Sequence, residues 1–171
     1  YHPVSALLDI VDNSVSANAD NINILVELER RKSQGGGRPA TVVKSFAILD
    51  NGKGMDEAGL DNALALGSSK DFYPAETLSK FGLGLKSASS SLGQKLEIIS
   101  RTSNSEPKLA VLDQKKLENE YTYELGEPDP DDVSILNTHV GDNNSGTLVR
   151  ITDIHEESMP SATDSIDGLQ K

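Results

Sequence analysis

The beginning of the chain shows two periodicities, one typical of a helix and one typical of a strand. Over residues 4–17, apolar side chains recur at helical spacing and predict an amphipathic helix. The side chains expected on its buried face are Leu7, Leu8, Val11 and Val15. Residues 22–28 then alternate and are rich in β-branched side chains, which predicts a strand.

Turn-forming residues divide the remaining apolar runs into further elements. Glycines and a proline mark a loop at 30–39, and short helices are predicted at 56–66 and 81–92. Further strands are predicted at 41–49, 95–102, 108–113 and 147–153, with a weaker candidate at 121–125. This order favours an α+β fold, a two-layer sandwich with helices on one face of a mostly antiparallel sheet.

Two polar segments are predicted to have no regular structure. Residues 126–146 are acidic and rich in Pro, Asn and Gly, so we expect an exposed loop there. The tail at 156–171 is polar, and its composition is typical of disorder. We therefore expect a single domain over residues 1–155.

The composition excludes several kinds of protein. Sixteen Lys and Arg against 27 Asp and Glu give a net charge of −11, which argues against a DNA-binding surface spread over this fragment. There are no cysteines, hence no disulfides or thiolate metal sites. The apolar runs fall short of the ~20 residues that a membrane span needs, and no signal peptide is visible. We expect a cytoplasmic location and, because the chain starts at Tyr1 rather than Met, a longer parent polypeptide.

Asp9 and Asn13 form the first candidate site. Residues four apart share a helix face, so the carboxylate and the amide point the same way. Together they can contribute to the ligand shell of Mg²⁺, with the carboxylate orienting a nucleophilic water. The alternative is a solvated polar face, which any amphipathic helix has.

Asp50, Gly52 and Gly54 form the second candidate site, directly after a predicted strand. Glycines allow backbone to approach a planar ligand closely, and a carboxylate can accept a hydrogen bond from an exocyclic amine. An ordinary turn is the alternative, since Asp, Asn and Gly dominate turns.

Two further clusters lie later in the chain. Gly82, Gly84 and Lys86 are found where a glycine-rich turn runs into a helix, and the free N–H groups there can bind phosphate together with the lysine. Close helix packing explains these glycines equally well. Thr147 follows Gly146 at the start of the last predicted strand, where β propensity alone accounts for a threonine.

In their order and spacing, the four clusters resemble the motifs of the GHKL ATPase superfamily, which includes gyrase B subunits, heat-shock chaperones, sensor histidine kinases and MutL. That family carries Glu-x-x-x-Asn on a helix, Asp-x-Gly-x-Gly after a strand, a lid, a second glycine box and a late Gly-Thr. The resemblance implies the layered Bergerat fold. Two stretches are most similar to the MutL- and MORC-like branch, namely 12–19 and the lid sequence 67–70 followed by Lys80-Phe81-Gly82.

The resemblance also implies roles for the matching residues at the base and the metal. Asn13 would coordinate the Mg²⁺ that bridges the phosphates. Asp50, in the motif with Gly52, would bind the amino group of adenine, assisted by Thr147 and by a water near Gly54.

For the phosphates, the resemblance implies a lining from the second glycine box and a mobile cover. The lining residues would be Gly82, Gly84 and Lys86. Residues 67–80 would form the lid that closes over ATP, and Lys70 would reach the nucleotide from that lid.

Asp9 departs from the family pattern, because the hydrolytic branches have Glu at this position. Aspartate accepts protons similarly but is one methylene shorter, and ~1 Å of misplacement can cost ~10²-fold in rate. As the catalytic residue, Asp9 is therefore expected to support hydrolysis that is slow or absent.

As a whole, the resemblance implies an ATP- and Mg²⁺-dependent ATPase domain of a larger cytoplasmic protein. ATP binding would close the lid and bring two copies together as a homodimer. Effector domains for DNA handling or defence against foreign DNA would lie in the same polypeptide, with any DNA contact outside this fragment. One alternative is a non-hydrolysing ATP-dependent switch or dimerisation module, and another is the catalytic domain of a protein histidine kinase.

Overall fold

The computed structural model describes residues 2–32, 35–64, 83–117 and 123–156. The strands are β1 (Ile22–Arg31), β2 (Ala40–Asp50), β3 (Gly93–Arg101), β4 (Lys108–Asp113), β5 (Glu124–Gly126) and β6 (Gly146–Ile154). They form one antiparallel sheet of six strands in the order β1-β2-β6-β3-β4-β5. The helices are α1 (Pro3–Ser16), α2 (Glu57–Leu64), α3 (Leu83–Leu92), α4 (Gln114–Leu117) and α5 (Pro130–Val140), with one 3-10 turn at Gly141–Asn143.

The main core lies between one face of the sheet and helices α1, α2 and α3. Ile10, Leu60 and Leu92, one from each helix, belong to the same buried cluster as Ile48 and Ile98 of the central strands. Burying one large aliphatic side chain contributes about 1.5–3 kcal/mol, so this cluster holds the two layers together. The predicted α+β sandwich with a mostly antiparallel sheet is confirmed.

Helix α1 forms where predicted, but its buried face is rotated from the predicted one. Leu8 and Val15 are 55% and 58% exposed, and Leu7 and Val11 are only partly buried. The fully buried side chains of α1 are Ala6, Ile10 and Ser14. The prediction failed because it placed Leu7, Leu8, Val11 and Val15 on the core face, whereas α1 turns Ala6, Ile10 and the polar Ser14, each four residues apart, toward the sheet.

Helix α5 lies on the opposite face of the sheet, so the prediction of an exposed loop over 126–146 is wrong. Leu136 and Val140 pack in a second buried cluster with side chains of β2, β3 and β6. Asp129 caps the helix by accepting a backbone N–H of the first turn, and Pro130 follows it. The acidic and proline residues therefore mark a helix start, where they stabilise the helix.

Three other predictions have separate outcomes. The weaker strand candidate at 121–125 corresponds in part to β5, which begins at Glu124. The predicted lid at 67–80, which includes Lys70, lies outside the described residues, as does the predicted tail beyond Glu156. No helix in the described ranges is long and apolar enough to cross a membrane.

Candidate functional site

Three buried polar side chains lie in a row across the central strands. Asp50 ends β2, Thr147 lies opposite it on β6, and Ser100 of β3 lies opposite Thr147. Residues two apart in a strand share a face, and Ile48 belongs to the main core, so the row is on the side that carries helices α1 to α3. Because buried polar groups need partners, the contacts of this row show how the site is held.

The Asp50 carboxylate is oriented by neutral donors. Ser14 Oγ of α1 donates to Oδ2 at 2.7 Å, and the backbone N–H of Gly52 donates to Oδ1 at 3.0 Å. Each carboxylate oxygen offers about two lone-pair positions, so each retains capacity for a further donor. Asp50 is therefore fixed in place and still able to accept a hydrogen bond from a ligand.

Ser100 is a site residue that the motifs did not predict. Its Oγ donates to the carbonyl of Gly146 at 3.0 Å and accepts the N–H of Met55 at 2.8 Å, and it lies 2.7 Å from Thr147 Oγ1. Ser100 has one hydroxyl hydrogen, which it donates to Gly146, so Thr147 donates in this pair. Thr147 also lines a pocket between the helices and the sheet, and its lone pairs stay available there. The signal in the sequence is that Ser100 follows Ile98 by two residues, on the core face of a predicted strand.

The turn after β2 needs its glycines for the packing of the chain itself. A Cβ on Gly54, whose φ is +67°, would lie 1.8 Å from the carbonyl oxygen of Arg101. A Cβ on Gly52 would lie 2.8 Å from the carbonyl oxygen of Ala17 at the end of α1. These glycines fix the turn against β3 and α1, and of the two only Gly54 lines the pocket.

Helix α1 turns Asn13 toward the pocket, beside Ile10, Ser14 and Ala17. The Asn13 Nδ2 atom is buried and has no hydrogen-bond partner among the described residues. An unpaired buried donor costs about 1–3 kcal/mol, which a bound ligand would recover. Asp9 lies one turn earlier, is half-buried and does not line the pocket.

The pocket has a polar end and apolar walls. Asp50 and Thr147, opposite each other on β2 and β6, form the polar end, and Asn13, Ser14 and Lys53 also line the pocket. The apolar side chains that line it are Ile10, Ala17, Met55, Ala63, Leu85 and Val149. This distribution fits a flat ring with a polar edge, since ligand pockets commonly combine apolar walls with a few placed polar groups.

A family model described as "Histidine kinase-, DNA gyrase B-, and HSP90-like ATPase" matches residues 1–147. The chain belongs to this family. The predicted GHKL resemblance is thereby confirmed at the level of the superfamily. The layered sheet is the Bergerat fold of that superfamily, and membership in it supports ATP binding. The MutL- and MORC-like branch stays a prediction. No curated protein sequence matches the chain significantly.

Of the residues predicted to line the phosphates, the structure describes Gly84 and Lys86 on α3. A Cβ on Gly84 would meet no atom of the described residues within 4 Å, so packing among them does not require this glycine. Lys86 is buried, and burial lowers the pKa of its ammonium group. A nearby anion would favour the charged form again. Their neighbour Leu85 lines the pocket and they do not, while Gly82 and Lys70 lie outside the described residues.

The described residues offer no protein-only metal cage, because they contain no group of three or more His, Cys, Asp or Glu placed to hold an ion. Mg²⁺ is usually held by one or two protein groups together with waters and phosphate oxygens. The amide oxygen of Asn13 is the atom that could join such a ligand shell, while its unpaired Nδ2 donor suits a phosphate oxygen. The residues present therefore fit a magnesium nucleotide better than a free metal ion.

Proposed function

We propose that this chain binds ATP with Mg²⁺ in the pocket and hydrolyses it slowly. The observation that carries the proposal is the buried Asp50 carboxylate, oriented by Ser14 and Gly52 at the polar end of the pocket. Its occurrence in a chain of the ATPase family supports ATP as the ligand.

Asp50 favours adenine over guanine because an ionised carboxylate only accepts hydrogen bonds. The exocyclic amine of adenine donates, whereas guanine has a carbonyl at that position and would leave two acceptors facing each other. Thr147 Oγ1 lies in the same polar row, and Leu85 and Val149 supply apolar surface for the ring. The base would thus be bound by its edge and its faces at once.

The phosphates would extend from the base toward α1 and α3. Asn13 would contribute its amide oxygen to Mg²⁺, which when bound supplies positive charge to the phosphates. Lys86 would add a cation, and the exposed backbone at Gly84 would admit the phosphate oxygens. Gly82 and Lys70 remain part of this proposal through the family motif alone.

Asp9 is the proposed general base of hydrolysis. It would take a proton from a water whose oxygen forms a bond to the γ-phosphorus while the bond to the oxygen of ADP breaks. Its position one turn before Asn13 on α1 points to this role. Its shorter side chain, and its absence from the pocket lining, predict slow turnover and favour a non-hydrolysing ATP-dependent switch as the second candidate.

Closure of the lid at 67–80 on ATP and dimerisation of the closed form complete the proposed cycle. Such a shift requires that ATP bind the closed state more tightly than the open state. We place the domain in a longer cytoplasmic protein that acts in DNA handling or defence. With a net charge of −11, this domain would leave DNA contact to other parts of that protein.

Calorimetric titration with ATP·Mg²⁺ tests the binding site. Asp50→Asn should weaken binding by at least about 100-fold, because the carboxamide can present a donor to the adenine amine. The matched control is Asp142→Asn, an exposed carboxylate in the 3-10 turn, which should bind as the wild type does. Circular dichroism checks that each variant is folded. If Asp50→Asn unfolds, Thr147→Val is tested instead, and it should weaken binding about tenfold because one hydrogen-bonding group is lost. Wild-type affinity in both variants would refute the site.

Steady-state ATP hydrolysis tests the general base. Asp9→Asn should abolish turnover without changing ATP affinity, and Asp9→Glu should raise turnover by up to about 100-fold because it restores the reach of the carboxylate. Asp12→Asn, which is exposed, lies about 60° round α1 from Asp9 and does not line the pocket, is the control and should leave the rate unchanged. Unchanged turnover in Asp9→Asn rejects the base, whereas binding without turnover in every variant favours the switch.

A further inference from the structure

Strand β1 forms an edge of the sheet, and its apolar side chains are uncovered. Of the described strands, only β2 pairs with β1. Ile24, Leu25 and Val26 are 49%, 48% and 45% exposed, and Leu28 is 59% exposed. Because consecutive strand residues point to opposite faces, Ile24, Val26 and Leu28 lie on the face that carries helices α1 to α3, and Leu25 lies on the other face between Asn23 and Glu27. Long edges of this kind are normally covered, paired or interrupted by charge.

The edge is also regular along its whole length. The pairing of β1 with β2 shifts once, between Glu27 and Leu28, whose partners are Ser45 and Val43. The extra residue, Lys44, therefore lies on β2, and β1 itself contains no bulge. Its ten residues leave an uninterrupted row of backbone groups for another strand.

The sequence of β1 is palindromic in polarity about Leu25. Residues at equal distances on the two sides of Leu25 are either both apolar or both polar, and the outermost pair has opposite charges. Inside β1 these pairs are Ile24 with Val26, Asn23 with Glu27, and Ile22 with Leu28, while in the pairs Asn21 with Glu29 and Asp20 with Arg30 the first residue precedes the strand. A strand with this pattern is complementary to itself when reversed.

We propose that β1 pairs antiparallel with β1 of a second copy of this chain, centred on Leu25, in the absence of nucleotide. In a two-fold interface every pair except the central Leu25 pair occurs twice. Asp20, in the turn before β1 where its carboxylate accepts from Asn51 Nδ2, then lies near Arg30 of the second copy at both ends. Apolar residues face apolar ones on both sheet faces, and no two like charges are opposed. The two six-stranded sheets become one continuous sheet of twelve strands.

The neighbouring registers of the β1–β1 pair are less favourable, so we expect only the register centred on Leu25. Centring the pair one residue earlier places Asn23 opposite Leu25, and centring it one residue later places Glu27 opposite Leu25 and Arg30 opposite Ile22. Both shifts oppose a polar side chain to an apolar one, where matched cross-strand pairs contribute stability. This interface is separate from the proposed pocket and does not depend on ATP.

Disulfide trapping tests the register directly, because the chain has no cysteines. Opposed residues in antiparallel strands have Cα atoms about 4.5–5.5 Å apart, within the range of a disulfide. Under mild oxidation without nucleotide, Leu25→Cys should form a covalent dimer. Asn23→Cys alone should not, whereas a mixture of Asn23→Cys and Glu27→Cys chains should give the heterodimer. The control is Leu125→Cys on the opposite edge strand, which should stay monomeric.

Charge exchange in unmodified protein gives a second, independent readout. By sedimentation without ATP, the wild type should dimerise, Arg30→Asp should weaken association about tenfold, and Asp20→Arg combined with Arg30→Asp should restore it. A monomer at all concentrations, a dimer that appears only with ATP, or trapping by Leu125→Cys in place of Leu25→Cys would each overturn the proposal. None of these results would contradict ATP binding in the pocket.

Discussion

At Gly54 the backbone has a φ of +67° and passes so close to Arg101 that a Cβ would overlap its carbonyl oxygen. One position later, the N–H of Met55 donates to Ser100. The turn that follows Asp50 is thus tied to β3 at consecutive residues. A single atom added at Gly54 would displace the strand end that supports the polar row.

Gly54→Ala should therefore lower the free energy of unfolding by more than about 3 kcal/mol, since both the backbone conformation and the space exclude a side chain. Gly126→Ala is the control, because a Cβ there meets nothing within 4 Å, and its stability should stay within about 0.5 kcal/mol of the wild type. Urea denaturation measures both. Equal stability of the two variants would contradict the close approach at Arg101.

The sequence predicted some residues of the site and missed others for a physical reason. Asp50 and Thr147 belong to motifs with fixed neighbours, so their place in the pocket could be expected before the structure. Ser14 and Ser100 carry no motif, and their roles arise only when the strand register and the rotation of α1 bring them next to the row. Hydroxyl partners of this kind depend on tertiary contacts that no local pattern encodes.

Among the elements, α5 is a helix in a segment whose composition is typical of a loop. Its exposed face carries acidic residues, and only Leu136 and Val140 are buried. Arg150 of β6 binds both carboxylate oxygens of Asp132, with one contact of 2.9 Å, which adds an ionic tie between helix and sheet. Hydrophobic periodicity does not identify a short helix with few buried residues. By contrast, the bounds of the long strands β2 and β3 were predicted within a few residues.

Truncating Leu136 should measure how strongly α5 is held to the sheet. Leu136→Ala should cost about 2–5 kcal/mol of unfolding free energy, because the side chain is fully buried in the second cluster. The neighbouring Ile135 is 43% exposed, and Ile135→Ala should change stability by about 0.5 kcal/mol or less. Similar losses in the two variants would show that α5 is not held by this face.

Across the whole molecule, a net charge of −11 opposes the binding of any polyphosphate at long range. Binding must therefore depend on local groups in the pocket, which come from α1, β2, β6 and the helices α2 and α3. Because the ligand would contact elements from both ends of the chain, its binding should stabilise the fold as one unit.

Thermal unfolding checks that consequence. ATP·Mg²⁺ at a hundred times its dissociation constant should add about 2.7 kcal/mol of stability and raise the melting temperature accordingly. GTP·Mg²⁺ at the same concentration should produce a much smaller shift, and chelation of the metal should reduce the effect of ATP. Equal shifts with both nucleotides would mean that the Asp50 end of the pocket does not select the base.

The position of β6 has a consequence for how the chain is made. This strand, Gly146–Ile154, is the last of those that the structure describes, and it lies in the middle of the sheet, between β2 and β3. Until β6 has emerged from the ribosome, the earlier strands that the structure describes form two separate sets. One set is β1 with β2, the other is β3 with β4 and β5, and the two sets share no hydrogen-bonded edge. The nascent chain thus carries the two ends of the polar row apart, and Thr147 links Asp50 to Ser100 only once β6 has emerged from the ribosome.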